Sequence, residues 1–289
     1  MDLGEDQLCY SKLYGAWPCR EFLTVSYAPG RLNLEIKLPM AFIVGSNQNK
    51  HSFVEDIAQI LVDEPGSLRK AGALSTELDQ DEAPVAGKYM FVPENPQTVF
   101  CESRGPEDKR SGVFAAPSVP SPPSHYLDAY SGTYAPQYTR FYESLLARDG
   151  GSFFEEKPSF GDIAVHIVPT SRPDVYQQIT GEDDQYRPSA GILLNPNVVK
   201  HYEDYDWSLY FKDGSYYFIT FNPAYSGYLA KRHGKSASTA MMRVLDPPDP
   251  RLCAWHFRQC VQMWVRGYPV QMVIPEDEFD DEVSLNSVY

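Results

Sequence analysis

The chain has 289 residues and a mass of 32.7 kDa, a length that fits two domains of roughly 100–200 residues each. A composition of 43% hydrophobic and 22% charged residues is that of a folded globular protein. The net charge of −14 argues against a general polyanion binder or a protein held on anionic lipid by charge, and leaves room for a local basic groove.

No apolar run approaches the ~18–20 residues of a membrane span. The acidic start MDLGEDQLCYSK lacks the basic and apolar regions of a signal peptide. Five scattered cysteines (Cys9, Cys19, Cys101, Cys253 and Cys260) form no C-x-x-C pair, so neither a disulfide framework nor a zinc knuckle is indicated. The expectation is an intracellular protein, cytoplasmic or nuclear, with no membrane partner.

Residues 1–101 read as a small α+β domain. Leu32, Leu34, Ile36 and Leu38 alternate with polar residues, the period of a half-buried strand. Ser52 stands three before Glu55, a capping box opening the helix HSFVEDIAQILVDEPG, which Pro65–Gly66 ends. A strand is expected in GKYMFVP, residues 87–93. Residues 102–135 are rich in Pro and Ser and read as a linker, because they hold too few large apolar residues to order themselves.

The second domain spans 136–275, followed by an acidic tail at 276–289. It opens with an amphipathic helix over Tyr138–Gly150 with Phe141, Leu145 and Leu146 inward. A strand over Asp162–Val168 is stopped by Pro169, and a polar loop runs to Pro188. Ile192–Leu194 make an apolar strand, and a helix capped by Asn197 follows Pro196. WSLYFKDGSYYFITF is a hairpin in which Leu209/Phe211 and Tyr217/Ile219 alternate around Lys212–Ser215, with Asp213–Gly214 supplying the turn. Arg251–Arg266 form an amphipathic helix ended by Gly267, on which Trp255 and His256 read as core. From residue 136 on there are 14 Lys and Arg against 21 Asp and Glu, six of which belong to the tail, so the domain itself is nearly neutral.

Three segments carry a resemblance: AVHIVPTSRPDVYQ (164–177), GILLNPNVVKHYEDYDWSLYFKDGSYYFITF (191–221) and CAWHFRQCVQMWVRGY (253–268). Together they resemble the fungal branch of the HNH nuclease family, with its (A/V)HI(I/V)P strand, GxLLxxxxHxxxD strand–helix and aromatic hairpin. The resemblance covers roughly residues 135–270. It implies an α+β chain in which an N-terminal α+β domain precedes an HNH-like ββα-metal domain with an added hairpin and a C-terminal helix. It also implies a chemistry in which His166 deprotonates a water that attacks a phosphodiester. A divalent cation (Mg, Mn or Zn) on the following helix then neutralises the leaving oxygen.

The match departs from the family at the chemistry. Ala190 replaces the usual asparagine, Val199 stands where the metal-binding histidine belongs, and Glu203 stands for the aspartate. His201 lies about 200° round the helix from Val199, at 3.6 residues per turn. Three readings follow. In the first, a metal-dependent endonuclease uses His166 as general base, takes metal ligands from Glu203, His201 and Asp204, and holds DNA through Arg172, Lys231, Arg232 and Lys235. In the second, the domain has lost hydrolysis and survives as a binding module. In the third, a metal-independent cyclase, isomerase or lyase acts on a small molecule without cofactor, with His166 as acid or base and Tyr202, Glu203 or Tyr205 as partner. Bland alternatives stand beside these: Arg172 pairs with Asp174, and Lys231–Lys235 form a solvated loop.

Overall fold

The computed structural model describes residues 12–17, 19–27, 34–72, 76–95, 97, 136–153, 161–223, 227–237 and 246–266. The linker over 102–135, the acidic tail, Cys9, Cys101 and Gly267 lie outside the described residues. The fold is mixed α+β, with helices and, among the described residues, one four-stranded and two two-stranded sheets.

A short helix, α1 (Lys12–Ala16), leads to strand β1 (Phe22–Tyr27), whose alternate residues Leu23, Val25 and Tyr27 are buried. The alternation expected from 32 onward gives β2 (Glu35–Pro39), antiparallel to β1, with Ile36 and Leu38 inside. Helices α2 (Met40–Gly45) and α3 (His51–Ile60) follow, then strands β3 (Gly66–Lys70) and β4 (Gly87–Pro93). The strand order is β2–β1–β4–β3, with β1 and β4 parallel and the other neighbours antiparallel.

The capping box does not form. The N-cap is Lys50, and the first-turn donors of α3 are taken by backbone: His51 N–H donates to Glu82 O at 3.0 Å and Ser52 N–H to Gln80 O at 3.1 Å. Glu55 is thereby released to accept Leu68 N–H of β3 at 2.7 Å, and Gln59 accepts Gly66 N–H at 3.0 Å. These side chains satisfy donors that an edge strand otherwise leaves open to another chain. The helix also ends at Ile60, earlier than expected, and Gly66 starts β3 where the sequence suggested only a stop.

In the second half, α4 (Pro136–Asp149) buries Phe141 and Leu145, while Leu146 stays exposed. Strand β5 (Ile163–His166) pairs antiparallel with β6 (Gly191–Leu194), His166 opposite Gly191. Between them the expected polar loop contains a helix, α5 (Pro173–Thr180), with Pro173 in its first turn and Gly181 left-handed at φ 78° behind it. After β6 comes α6 (Pro196–Glu203). Its cap is Asn195, not Asn197: the Asn195 side chain accepts Asn197 N–H at 3.0 Å, and Pro196 fills the first position.

Strands β7 (Trp207–Lys212) and β8 (Ser215–Thr220) form the hairpin, turning through Asp213 at φ 49° and Gly214 at φ 75°. Positive φ at both turn residues matches the twist of the strands, which is why Asp-Gly suits this position. A single turn, α7 (Gly227–Ala230), precedes α8 (Pro250–Val261), capped by Asp249 and continued by a π turn over Gln262–Arg266.

The hairpin buries both faces rather than one. Trp207, Leu209, Tyr216 and Phe218 enter a core shared with β5, β6 and α6. Tyr210, Ile219 and the following Phe221 enter another, shared with β1–β4 and α3. Helix α8 is divided in the same way, giving Leu252 and Cys253 to the first core and Phe257, Cys260 and Val261 to the second.

Candidate functional site

β5 pairs with β6, which leads into α6, and His166 sits at the end of β5. Its imidazole is stacked on Phe141 of α4, with centroids 4.3 Å apart and planes at 18°. Tyr186 meets the same ring edge-on at 5.1 Å. Opposite His166, Gly191 leaves space that Phe141 fills: a Cβ there would lie 2.2 Å from Phe141 Cζ.

The strand junction is braced by a charged pair that the sequence did not single out. Arg148 and Asp149, both buried at the end of α4, form a two-pronged ion pair at 2.6 and 2.7 Å. Arg148 also donates to the carbonyls of Pro188, Gly191 and Asp246, at 2.6, 2.9 and 3.1 Å. Asp149 accepts Leu193 N–H at 3.3 Å. Burial pushes the Asp149 carboxyl above its ordinary range, and the Arg148 guanidinium opposes that shift. No signal marked this pair, because charged residue types are by default on the surface.

On α6 the side chains separate by face. Val198, Val199 and Tyr202 are buried, Val199 at 3% exposure, in the core with Ile167, Ile192 and Trp207. The Tyr202 ring is stacked on His256 at 3.8 Å with planes 3° apart, and burial raises its phenol far above the ordinary range. Glu203 and Asp204 are exposed. His201 is half-buried, and its Nδ1 lies 2.8 Å from Asp206 Oδ2; the other oxygen of Asp206 accepts Asn222 Nδ2 at 3.1 Å. Desolvation raises the Asp206 carboxyl, and its bonds to His201 and Asn222 pull the other way. Among the described residues, no group of three or more His, Cys, Asp or Glu side chains is placed to hold a metal ion.

The expected phosphate-contacting residues sit on two separate segments, at the start of α5 and after α7. Arg172 donates through Nε and Nη2 to Asp174, at 3.0 and 2.8 Å, and holds that carboxyl below its ordinary range. Lys231 and Lys235 are exposed, and Arg232 lies 3.3 Å over the Tyr228 ring. Their neighbour His233 points inward. Its Nδ1 accepts Thr220 N–H at 3.0 Å, so the proton resides on Nε2, which donates to Phe42 O at 2.8 Å. Trp17 and Phe42 pack on its ring. A Cβ on Gly234 would lie 2.1 Å from Gly45 O, so this turn abuts α2 closely. Burial lowers the His233 pKa to about 4.

A second buried histidine links three elements. His256 of α8 shares a hydrogen bond with Ser208 Oγ of β7 at 2.9 Å and lies 3.2 Å from Tyr202 O of α6. Ser208 and His256 are both shut off from solvent, so this pair holds the core together and offers no nucleophile. No known protein family, curated protein or solved structure matches this chain.

Proposed function

We propose that the chain is a degenerate HNH-type ββα module that works by binding instead of hydrolysing a phosphodiester. The observation that carries this reading is Val199. The helix position where the resemblance requires a metal-binding histidine holds an aliphatic side chain, 3% exposed and packed in the core. Valine has no lone pair to offer a cation, and the nearby donors do not replace it: Glu203 and Asp204 face solvent, and His201 is engaged by Asp206. The donor set of α6 therefore does not fit a divalent ion.

The endonuclease reading keeps one support, the antiparallel β5–β6 pair that leads into α6, with His166 at the exit of β5. One experiment separates the two. Supercoiled DNA is incubated with the purified chain and Mg²⁺ or Mn²⁺, beside calorimetry of both ions with the wild type and Glu203→Ala. The binding-module reading expects no nicking above that of His166→Ala and no stoichiometric ion binding. Metal-dependent nicking that His166→Ala abolishes would restore the nuclease.

A further inference from the structure

One helical stripe of α8 carries Arg251, Ala254, Trp255 and Arg258, with Trp255 half-buried against the first core and the other three exposed. With Ile60 of α3, Ile179 of α5 and Phe211 of β7, this stripe lines an open groove of about 670 Å³. Its lining takes Leu209 from one core and Phe257 from the other. That volume falls within the range of roughly 300–1,000 Å³ usual for ligand sites, enough to seat several apolar side chains.

The charges at the rim are not equivalent. Asp56 accepts the Tyr210 hydroxyl at 2.5 Å and Lys212 at 2.9 Å. Arg251 is held by Asp249 on two nitrogens and donates a third to Ile179 O. Arg258 differs. The nearest carboxylate oxygen, on Asp63, is 3.9 Å away, and its guanidinium makes no hydrogen bond among the described residues. Its side chain is 45% exposed, one helical turn from the half-buried Trp255.

We propose that this groove docks a peptide segment of a partner protein, which sets apolar side chains against Trp255 and places a carboxylate on Arg258. An arginine fork matches a carboxylate in two-pronged geometry, and Trp and Arg are the residue types that dominate binding energy at protein interfaces. A run of phosphates needs several uncommitted cations, and at this rim Lys212 and Arg251 are already held by Asp56 and Asp249, so the chemistry favours a peptide with one carboxylate over nucleic acid. The proposal needs only the groove and holds whether or not the ββα unit has lost hydrolysis.

The test uses the full chain and a fluorescein-labelled peptide with Leu and Phe anchors between Glu residues. A counterpart with Lys for every Glu and a single-stranded oligonucleotide accompany it. Saturable binding of the Glu peptide is expected, with a shift in tryptophan emission and at least about a tenfold loss in Arg258→Glu, an energy of about 1.4 kcal/mol. Arg258 is exposed, so that variant should keep the wild-type unfolding midpoint, which separates lost binding from lost fold. Trp255→Ala should weaken binding as well. Equal affinity for the Lys peptide, preference for the oligonucleotide, no binding of the Glu peptide, or indifference to Arg258→Glu would each overturn the proposal. Self-association abolished by Arg258→Glu would place a second copy in the groove and overturn it too.

Discussion

His233 is neutral in the fold because both ring nitrogens are committed, one as acceptor from Thr220 and one as donor to Phe42, and because burial disfavours the cation. Its pKa falls from an ordinary 6.5 to about 4. Between those values the unfolded chain binds a proton that the folded chain refuses, so stability is full above the upper value and declines as pH falls toward the lower. The loss amounts to about 3 kcal/mol across that window. Urea unfolding at several pH values should show this decline in the wild type and a flatter profile in His233→Gln; parallel profiles would count against the assignment. Arg148 gives a second prediction at this scale. Arg148→Ala strands a buried carboxylate and three carbonyls, and should cost about 3–5 kcal/mol in denaturant unfolding, whereas an exposed pair would cost less than about 1 kcal/mol. Neither role was legible beforehand. The AKRHGK turn reads as a basic cluster and Arg148–Asp149 drew no reading of its own, because charged residue types are by default on the surface. What turns His233 inward is the close approach of Gly234 to α2, a contact between residues far apart in the chain.

Elements with period and punctuation in agreement were legible: the strand over 87–93, the Asp-Gly hairpin, and the β6–α6 pair. Those set by a partner were not. Helix α5 carries Pro173 in its first turn and Gly181 behind it, yet its density of Asp, Gln and Pro reads as loop, since only Val175 and Tyr176 are buried on its eight residues. The Ser52–Glu55 motif misled for a different reason: the 79–82 backbone satisfies the helix start, so the carboxylate serves β3 instead. That assignment is testable. Glu55→Ala removes the acceptor of Leu68 N–H and also frees Gln80, and should lower stability by about 1.5–3 kcal/mol, the range for a hydrogen bond to a charged group. Ser52→Ala, which would abolish a true capping box, should change it by less than about 0.5 kcal/mol in the same denaturant titration. The opposite ranking would restore the capping box.

At the scale of the whole chain, the aromatic residues that join the halves decide how the molecule unfolds. Phe53 of α3 lies 5.1 Å from Tyr210 and 6.5 Å from Phe257, centroid to centroid, and Phe42 lies 5.6 Å from Phe221. Tyr210 and Lys212 of the hairpin both bond Asp56 of α3. One core therefore takes residues from both sides of segment 102–135, where the composition of the sequence suggested a divide. Residue patterning reports which face of an element is apolar, and it is silent on which distant face will cover it. That is why the second buried face of the hairpin went unread. Because β7, β8 and α8 each contribute to both cores, the sheet of β1–β4 and the β5–β6 pair should lose structure together. Phe53→Ala tests this. It opens a cavity in the first core and should cost about 3–5 kcal/mol. In native-state hydrogen exchange, the amides of Ile192 and Leu194 in β6 should lose as much protection as those of Leu23 and Val25 in β1, although Phe53 belongs to the other core. If β6 kept its wild-type protection while β1 lost it, the hairpin would be a passive divider between two independently stable units, and the shared core would carry no cooperativity.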